Sequence, residues 1–398
     1  MLARLLRRDL VLFSPGLSFA QLRGAGVSGD PVFPLSGQRA ILTFSGTAAV
    51  AQAVAALELA PGDAVLCPAY ACGHEIEPLL RAGIPLEFYR VDERMQVDVN
   101  DIRRRLRPPV RALLVTHYFG FPQPIAWLRK LCDEQGAYLI EDCAHAFLSW
   151  ADERPLGSIG DVAVFSMRKT LPLPDGGAAV LNRADLEPRG ALRVPSRLST
   201  WAKSLDLWRR SLLQPGSLAD FARDRATLLA AAPALVAPRV LRRLAIPSAV
   251  AWYDPDDERF DFDSRLLDWA MSDTARALLE QTDFAPVKER RRRNYAHLVE
   301  LLGPVAAECC PLLPLPDGVC PLFLPLLHDD RDRLCEAFLR QGISAPPWWE
   351  TFHPAIPWSA FAEATALKNR AFVLPVHQDL DDARIERMAR VARDLLQS

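Results

Sequence analysis

RALLVTHYFGFPQPIAWLRKLCDEQGAYLIEDCAHAF (111–147) decides the fold. RALLVTHYFG (111–120) is a continuous apolar run, which reads as a buried strand passing into a loop. PIAWLRKLCDEQG (124–136) carries its apolar residues at helical spacing and stops on Gly136. AYLIEDCAHAF (137–147) is a second apolar strand that ends in polar residues, Asp142 and His145 among them. Apolar strands separated by an amphipathic helix predict a mostly parallel sheet covered on both faces.

The alternation extends outward on both sides. SGTAAVAQAVAALEL (45–59), GHEIEPLLRAG (73–83) and VNDIRRRLR (99–107) read as helices. AVLCPA (64–69), PLEFYRVD (85–92), DVAVFSM (161–167) and AAVLN (178–182) read as strands. SRLLDWAMSDTARALLEQ (264–281), VKERRRRNYAHLVELLG (287–303) and LDDARIERMARVARDLL (380–396) read as further helices. The expected division is an N-terminal segment (1–37), a large domain (38–263) with a divergent helical region (183–260), and linking helices with a small α+β domain (264–398). Sheets of this kind bind ligands outside the carboxyl ends of their strands. Cys72, His117, Asp142, His145, Ser166 and Lys169, each just past a strand, are therefore expected to converge.

The 398 residues are 50% hydrophobic and carry a net charge of −2, so a large core is available and nothing favours nucleic acid. The Arg runs 103–105 and 290–293 fall in helical patterns and read as solvated faces. The most apolar long stretch, 228–252, is broken by prolines and arginines, so a packed helical pair is expected there and no transmembrane helix. The basic and apolar N-terminus is interrupted by Ser-Pro-Gly (14–16), which argues against a signal peptide. The eight cysteines form no CxxC pair and no zinc spacing. Cys132 and Cys143 lie in apolar surroundings and read as reduced thiols, as in a cytoplasmic protein.

Lys169 stands out. The chain favours Arg strongly and keeps Lys only at 130, 169, 203, 288 and 368. Lys can lose its proton when desolvated and form a Schiff base, which Arg cannot. Lys169, between an apolar strand and Gly176-Gly177, suggests a covalent anchor for an aldehyde cofactor. The other groups are individually ambiguous. Ser45-Gly46-Thr47 at a helix start is a miniature anion site or a simple cap. Asp142 is a satisfied capping carboxylate or the partner of a pyridinium nitrogen. Ser166 donates to a phosphate or bonds to backbone. His117 and His145 read individually as structural histidines, and a metal site from His117, Asp142 and His145 has no other support. Trp348, Trp349 and His353 line a substrate entrance or simply pack.

The order of these groups is more specific than any one of them. A phosphate cradle, then a carboxylate after a strand, then Ser and Lys after the next strand resembles the DegT-type sugar aminotransferase family, pyridoxal-phosphate enzymes of fold type I. The likeness lies in SGTAAV, PGDAVLCPAY, VTHYFG, IEDCAHAF and PLGSIGDVAVFS, and resumes at MSDTARALLEQ, RRRNY and FVLPVHQDLDDARIERM. It implies a large domain with a seven-stranded type of sheet and a smaller C-terminal domain. It also implies that Gly46, Thr47 and Ser166 hold the cofactor phosphate, Asp142 pairs with the ring nitrogen, His145 lies near the phenolic oxygen and Lys169 is the Schiff-base lysine. The implied reaction passes an amino group from an amino acid, glutamate first, to a keto or aldehyde sugar, nucleotide-linked, in polysaccharide, glycolipid or secondary-metabolite synthesis. A homodimer is implied as well. The alternatives are another pyridoxal-phosphate enzyme of the same fold, such as a dehydratase or an amino-acid-directed enzyme, or a non-catalytic protein that keeps the fold. Two departures stand out. Lys169 follows Ser166 by three residues where the family has five, and Cys72 takes the place of the aromatic residue that covers the cofactor ring.

Overall fold

The computed structural model describes residues 10–18, 21, 29–36, 39–212 and 264–397. Its centre is a seven-stranded sheet built from β1 (Ala40–Thr43), β2 (Ala64–Pro68), β3 (Leu86–Tyr89), β4 (Val110–Thr116), β5 (Tyr138–Cys143), β8 (Val162–Phe165) and β9 (Gly177–Leu181). A two-stranded hairpin, β6 (Trp150–Ala151) and β7 (Arg154–Pro155), projects between β5 and β8. The strand order is β1-β9-β8-β5-β4-β2-β3. Pairing is parallel from β3 through β8, and β9 runs antiparallel to both neighbours.

The buried strands explain the apolar runs. Every residue of β2, β8 and β9 is buried, as is the centre of β4 and β5 around Leu113, Leu114, Leu139 and Ile140. Helices α1 (Gly46–Ala56), α2 (Glu77–Arg81), α3 (Val99–Arg105) and α4 (Ile125–Gln135) supply the connections. Ser45 caps α1 by accepting from Ala48 N at 3.2 Å, Asp98 caps α3, and Gly136 closes α4 in the left-handed conformation (φ 61°).

Helix α5 (Arg197–Leu212) follows the sheet, and α6 (Asp273–Glu280), α7 (Phe284–Leu302) and α8 (Pro304–Cys309) lead to the C-terminal part. There β10 (Phe323–Leu327) pairs antiparallel with β11 (Ala371–Pro375), flanked by α9 (Arg331–Arg340), α10 (Ala362–Arg370) and α11 (Asp382–Leu396).

Some expectations change. The helix expected over 73–83 shrinks to α2, because Glu75 folds back onto Cys72 and residues 73–76 form a turn. The helix expected over 264–281 is split. Met271 N bonds to Leu42 O (3.2 Å) and Ser272 N to Asp175 (2.9 Å), so this stretch joins the sheet edge before α6 begins. The Arg run 290–293 is not a solvated face, since Arg291 is buried. The stretch 228–252 and most of 183–260 lie outside the described residues.

Candidate active site

The carboxyl end of β8 and the start of β9 meet the N-terminus of α1. Gly177 fits against the turn before α1 only because it lacks a side chain: a Cβ there would lie 2.3 Å from Ser45 O. Gly46 in turn faces Ser166, where an added Cβ would meet the Ser166 Cβ at 3.0 Å and its Oγ at 3.5 Å. The first turn of α1 holds no acidic residue. The Gly46 and Thr47 N–H groups find no acceptor among the described residues, so the positive end of the helix is open.

Lys169 belongs to a short 3-10 turn (Met167–Lys169) and its N–H donates to Ser166 O at 3.1 Å. Its side chain is half-buried and makes no hydrogen bond or ion pair among the described residues. The Lys169 charge nevertheless acts on Cys72, His74, Asp142 and His145, so its side chain lies in their neighbourhood. Asp142 is buried and accepts one hydrogen bond, from Ala144 N at 2.9 Å on Oδ1. Burial, with the nearby Glu75 carboxylate, pushes its pKa up to about 6, while the Ala144 N–H, Lys169 and His117 pull the other way. Burial, aided by Lys169, holds the His145 pKa well below the usual histidine range, so this imidazole is neutral. The Phe119 N–H donates to its Nδ1 at 3.4 Å.

Of the six groups expected to converge, His117 turns away. Its Nε2 meets Glu141 at 3.0 Å, and Glu141, one residue before Asp142 on β5, points to the opposite sheet face. Glu141 also accepts from the N–H groups of Gly157 (3.0 Å), Ile159 (2.8 Å) and Gly160 (2.5 Å). Burial works against that carboxylate, but these donors, His117 foremost, hold its pKa below the usual range. His117, Glu141 and Cys143 bring their ligand atoms within 4.8 Å of one another. Four donors already saturate Glu141, so the group reads as a structural anchor rather than a metal centre.

Sequence reading missed Glu75 altogether and left Trp349 open between lining a substrate entrance and packing. Glu75, buried beside the site, accepts from Cys72 N (3.0 Å) and from the Cys72 thiol (2.7 Å). Trp349, on the loop after α9, adopts φ 60°, which is strained for a bulky residue. It packs on Tyr70 (ring centroids 5.0 Å apart) and on His145 (5.4 Å). The loop is fastened by His353, whose Nε2 meets Glu77 at 2.9 Å, and by the buried Lys368, whose ammonium bonds to Thr351 O at 2.6 Å under the Trp349, Phe352 and Trp358 rings. The Tyr70 hydroxyl in this wall is buried and has no hydrogen-bond partner among the described residues.

These groups fit a phosphorylated pyridine aldehyde. An open helix N-terminus beside Ser166 suits its phosphate, a buried carboxylate with one oxygen uncommitted suits its ring nitrogen, and an unpaired amine suits its aldehyde. The fold is that of the fold type I pyridoxal-phosphate transferases. Residues 35–194 match the model of the DegT/DnrJ/EryC1/StrS aminotransferase family.

GDP-perosamine synthase of Vibrio cholerae is 34% identical over 148 residues, which cover 36% of this chain and 40% of that protein. The chain thus matches about two fifths of that relative's length. The dTDP-4-dehydro-2,3,6-trideoxy-D-glucose 4-aminotransferase of Saccharopolyspora spinosa is 25% identical over 360 residues, 88% of this chain and 83% of that one. The pyridoxamine-phosphate ("PMP") form of Spr1654 from Streptococcus pneumoniae, described as a putative sugar aminotransferase, superposes with a TM-score of 0.67 over 98% of both chains, at 14% identity. No helix among the described residues is long and apolar enough to cross a membrane.

Proposed function

We propose that this protein is a pyridoxal-phosphate-dependent aminotransferase that moves an amino group from an amino acid, glutamate first, to a keto sugar carried on a nucleotide. The observation that carries this reading is the Lys169 amine, unpaired among the described residues, whose charge acts on the buried Asp142 and His145 beside the open N-terminus of α1. The family match and the names of the relatives support the substrate class.

The Gly46 and Thr47 N–H groups and the Ser166 hydroxyl bind the phosphate, with the helix end adding its favourable dipole. Asp142 would pair with the ring nitrogen and favour its protonated form, and a cationic partner there would favour the ionised carboxylate. When bound, the cofactor supplies an electron sink for the carbon that loses its proton. His145 is neutral and presents a hydrogen bond to the phenolic side of the ring. Lys169 would hold the cofactor through its aldehyde. Once free, the Lys169 Nζ would be the base that takes the proton from the amino donor's Cα and the acid that returns it. Trp349 and Tyr70 form an aromatic wall on the side of the C-terminal loop, against which the sugar would pack.

A second copy completes the site in this reading, and the exposed Trp150 and Trp201 are candidates for the contact. The free cysteines suit a cytoplasmic setting. The test is direct. Reconstituted protein should absorb in the visible, lose the band with glutamate and regain it with the correct keto sugar. Lys169→Ala should abolish the cycle. Tight cofactor binding without any conversion by amino acids would replace this reading with a non-catalytic one.

A further inference from the structure

Helix α7 carries four consecutive arginines, and Arg291 is the one turned inward, 1% exposed. It makes no ion pair among the described residues; its partners are neutral oxygens. Nη2 donates to Thr170 O at 2.7 Å, Nη1 to Leu322 O at 3.1 Å and Pro321 O at 3.3 Å, and Nε to Gln378 Oε1 at 3.0 Å. Gln378 Nε2 donates to the same Thr170 carbonyl at 3.2 Å. One carbonyl, that of the residue directly after Lys169, is therefore held by two donors from two different C-terminal segments.

A guanidinium buried with no carboxylate in hydrogen-bond contact, the Asp379 charge acting on it only from a distance, carries a large desolvation cost, and an apolar side chain would fill the same space without it. What only Arg supplies is a planar fork that reaches several carbonyls in fixed directions. The turn it grips is short: Lys169 N bonds to Ser166 O, and Thr170 N (3.0 Å) and Leu171 N (2.9 Å) both bond to Met167 O. Its last carbonyl has no helical partner further on and takes its donors from outside.

We infer that Arg291, with Gln378, is a positioning residue that fixes the Lys169 turn and ties it to the C-terminal part of the chain. This rests on the reading of Lys169 as the cofactor-bearing lysine. Released from the clamp, the turn samples other orientations and the Lys169 amine spends less time aimed at Asp142.

The experiment compares Arg291→Gln, Arg291→Lys and Gln378→Leu with a control on the same helix, Arg292→Gln. Arg292 bonds to Pro316 O (2.8 Å) and Val319 O (2.7 Å) and does not touch Thr170. Two readouts are taken on the full chain: amide hydrogen exchange of segment 166–173 in the cofactor-free protein, and the fraction of pyridoxal phosphate fixed at Lys169 by borohydride. Arg291→Gln should speed exchange of the Lys169–Leu171 amides by about tenfold, a loss of about 1.4 kcal/mol of local restraint. It should also lower the fixed fraction severalfold. Arg291→Lys and Gln378→Leu should fall between it and wild type, and Arg292→Gln should leave both readouts unchanged. If Arg291→Gln does not fold, Arg291→Lys and Gln378→Leu decide by the same readouts. Exchange in 166–173 that merely follows global stability, or fixation equal to wild type in folded variants, overturns the inference. If wild type itself fixes no cofactor at Lys169, the proposed function falls, and the exchange readout alone judges the clamp.

Discussion

Gly46 lies directly against Ser166: a methyl group on Gly46 would stand 3.0 Å from the Ser166 Cβ. That spacing brings the first turn of α1 and the end of β8 close enough to share one anion. Gly46→Ala is the corresponding prediction. The substitution favours the helix itself, by up to about 1 kcal/mol, so the fold should hold. Ser166 must shift, and pyridoxal phosphate should bind at least about tenfold more weakly. Equilibrium dialysis against the cofactor checks this, and inorganic phosphate should compete less well in the variant.

Asp142 predicts a gain in stability at the expense of function. Its folded pKa of about 6 exceeds the ordinary 3.8, so ionising it opposes folding. The stability it contributes is full below pH 3.8 and is lost as pH rises through 6. Asp142→Asn in the cofactor-free protein should therefore unfold later than wild type at pH 8, by about 3 kcal/mol. The difference should vanish below about pH 4. The same variant should bind the cofactor poorly. Denaturant titrations at several pH values read the first effect.

Glu141 has the opposite sign. Its pKa is depressed from the ordinary 4.5, so its stabilisation is present above 4.5 and is lost as pH falls below that value. Glu141→Ala leaves four donors unpaired, three of them buried, and should cost about 3–5 kcal/mol. Urea unfolding at pH 7 checks it.

How legible this was varied with the physics. Strands β2, β4, β5 and β8 showed in the sequence because burial on both faces demands uninterrupted apolar residues. The order Gly46, Asp142, Ser166, Lys169 showed because sheet topology forces such groups to one edge. Arg291 did not show, since a four-Arg run looks like a solvated face. Its signal was spacing: Arg291, Asn294, Tyr295, Leu298 and Leu302 share the buried face of α7. Strand β1 is four residues long, with three of them only half-buried, too weak a pattern to stand out. The split after residue 266 came from contacts with Leu42 and Asp175, which lie far away in sequence. The left-handed backbone of Trp349 leaves no sequence mark at all.

Trp349 yields a prediction about specificity. Its ring contacts His145 and Tyr70 from the C-terminal loop, away from the phosphate cradle. Trp349→Ala should leave cofactor fixation at Lys169 intact, raise KM for the sugar severalfold and change the half-reaction with the amino donor little. Separate kinetics of the two half-reactions distinguish these effects.

The central claim is that one lysine of five carries the cofactor. Reconstituting the protein with pyridoxal phosphate, reducing with borohydride and mapping the adduct by peptide mass spectrometry tests it most directly. The account predicts the adduct on Lys169 alone. An adduct spread over Lys130, Lys203, Lys288 and Lys368, or none at all, would contradict it.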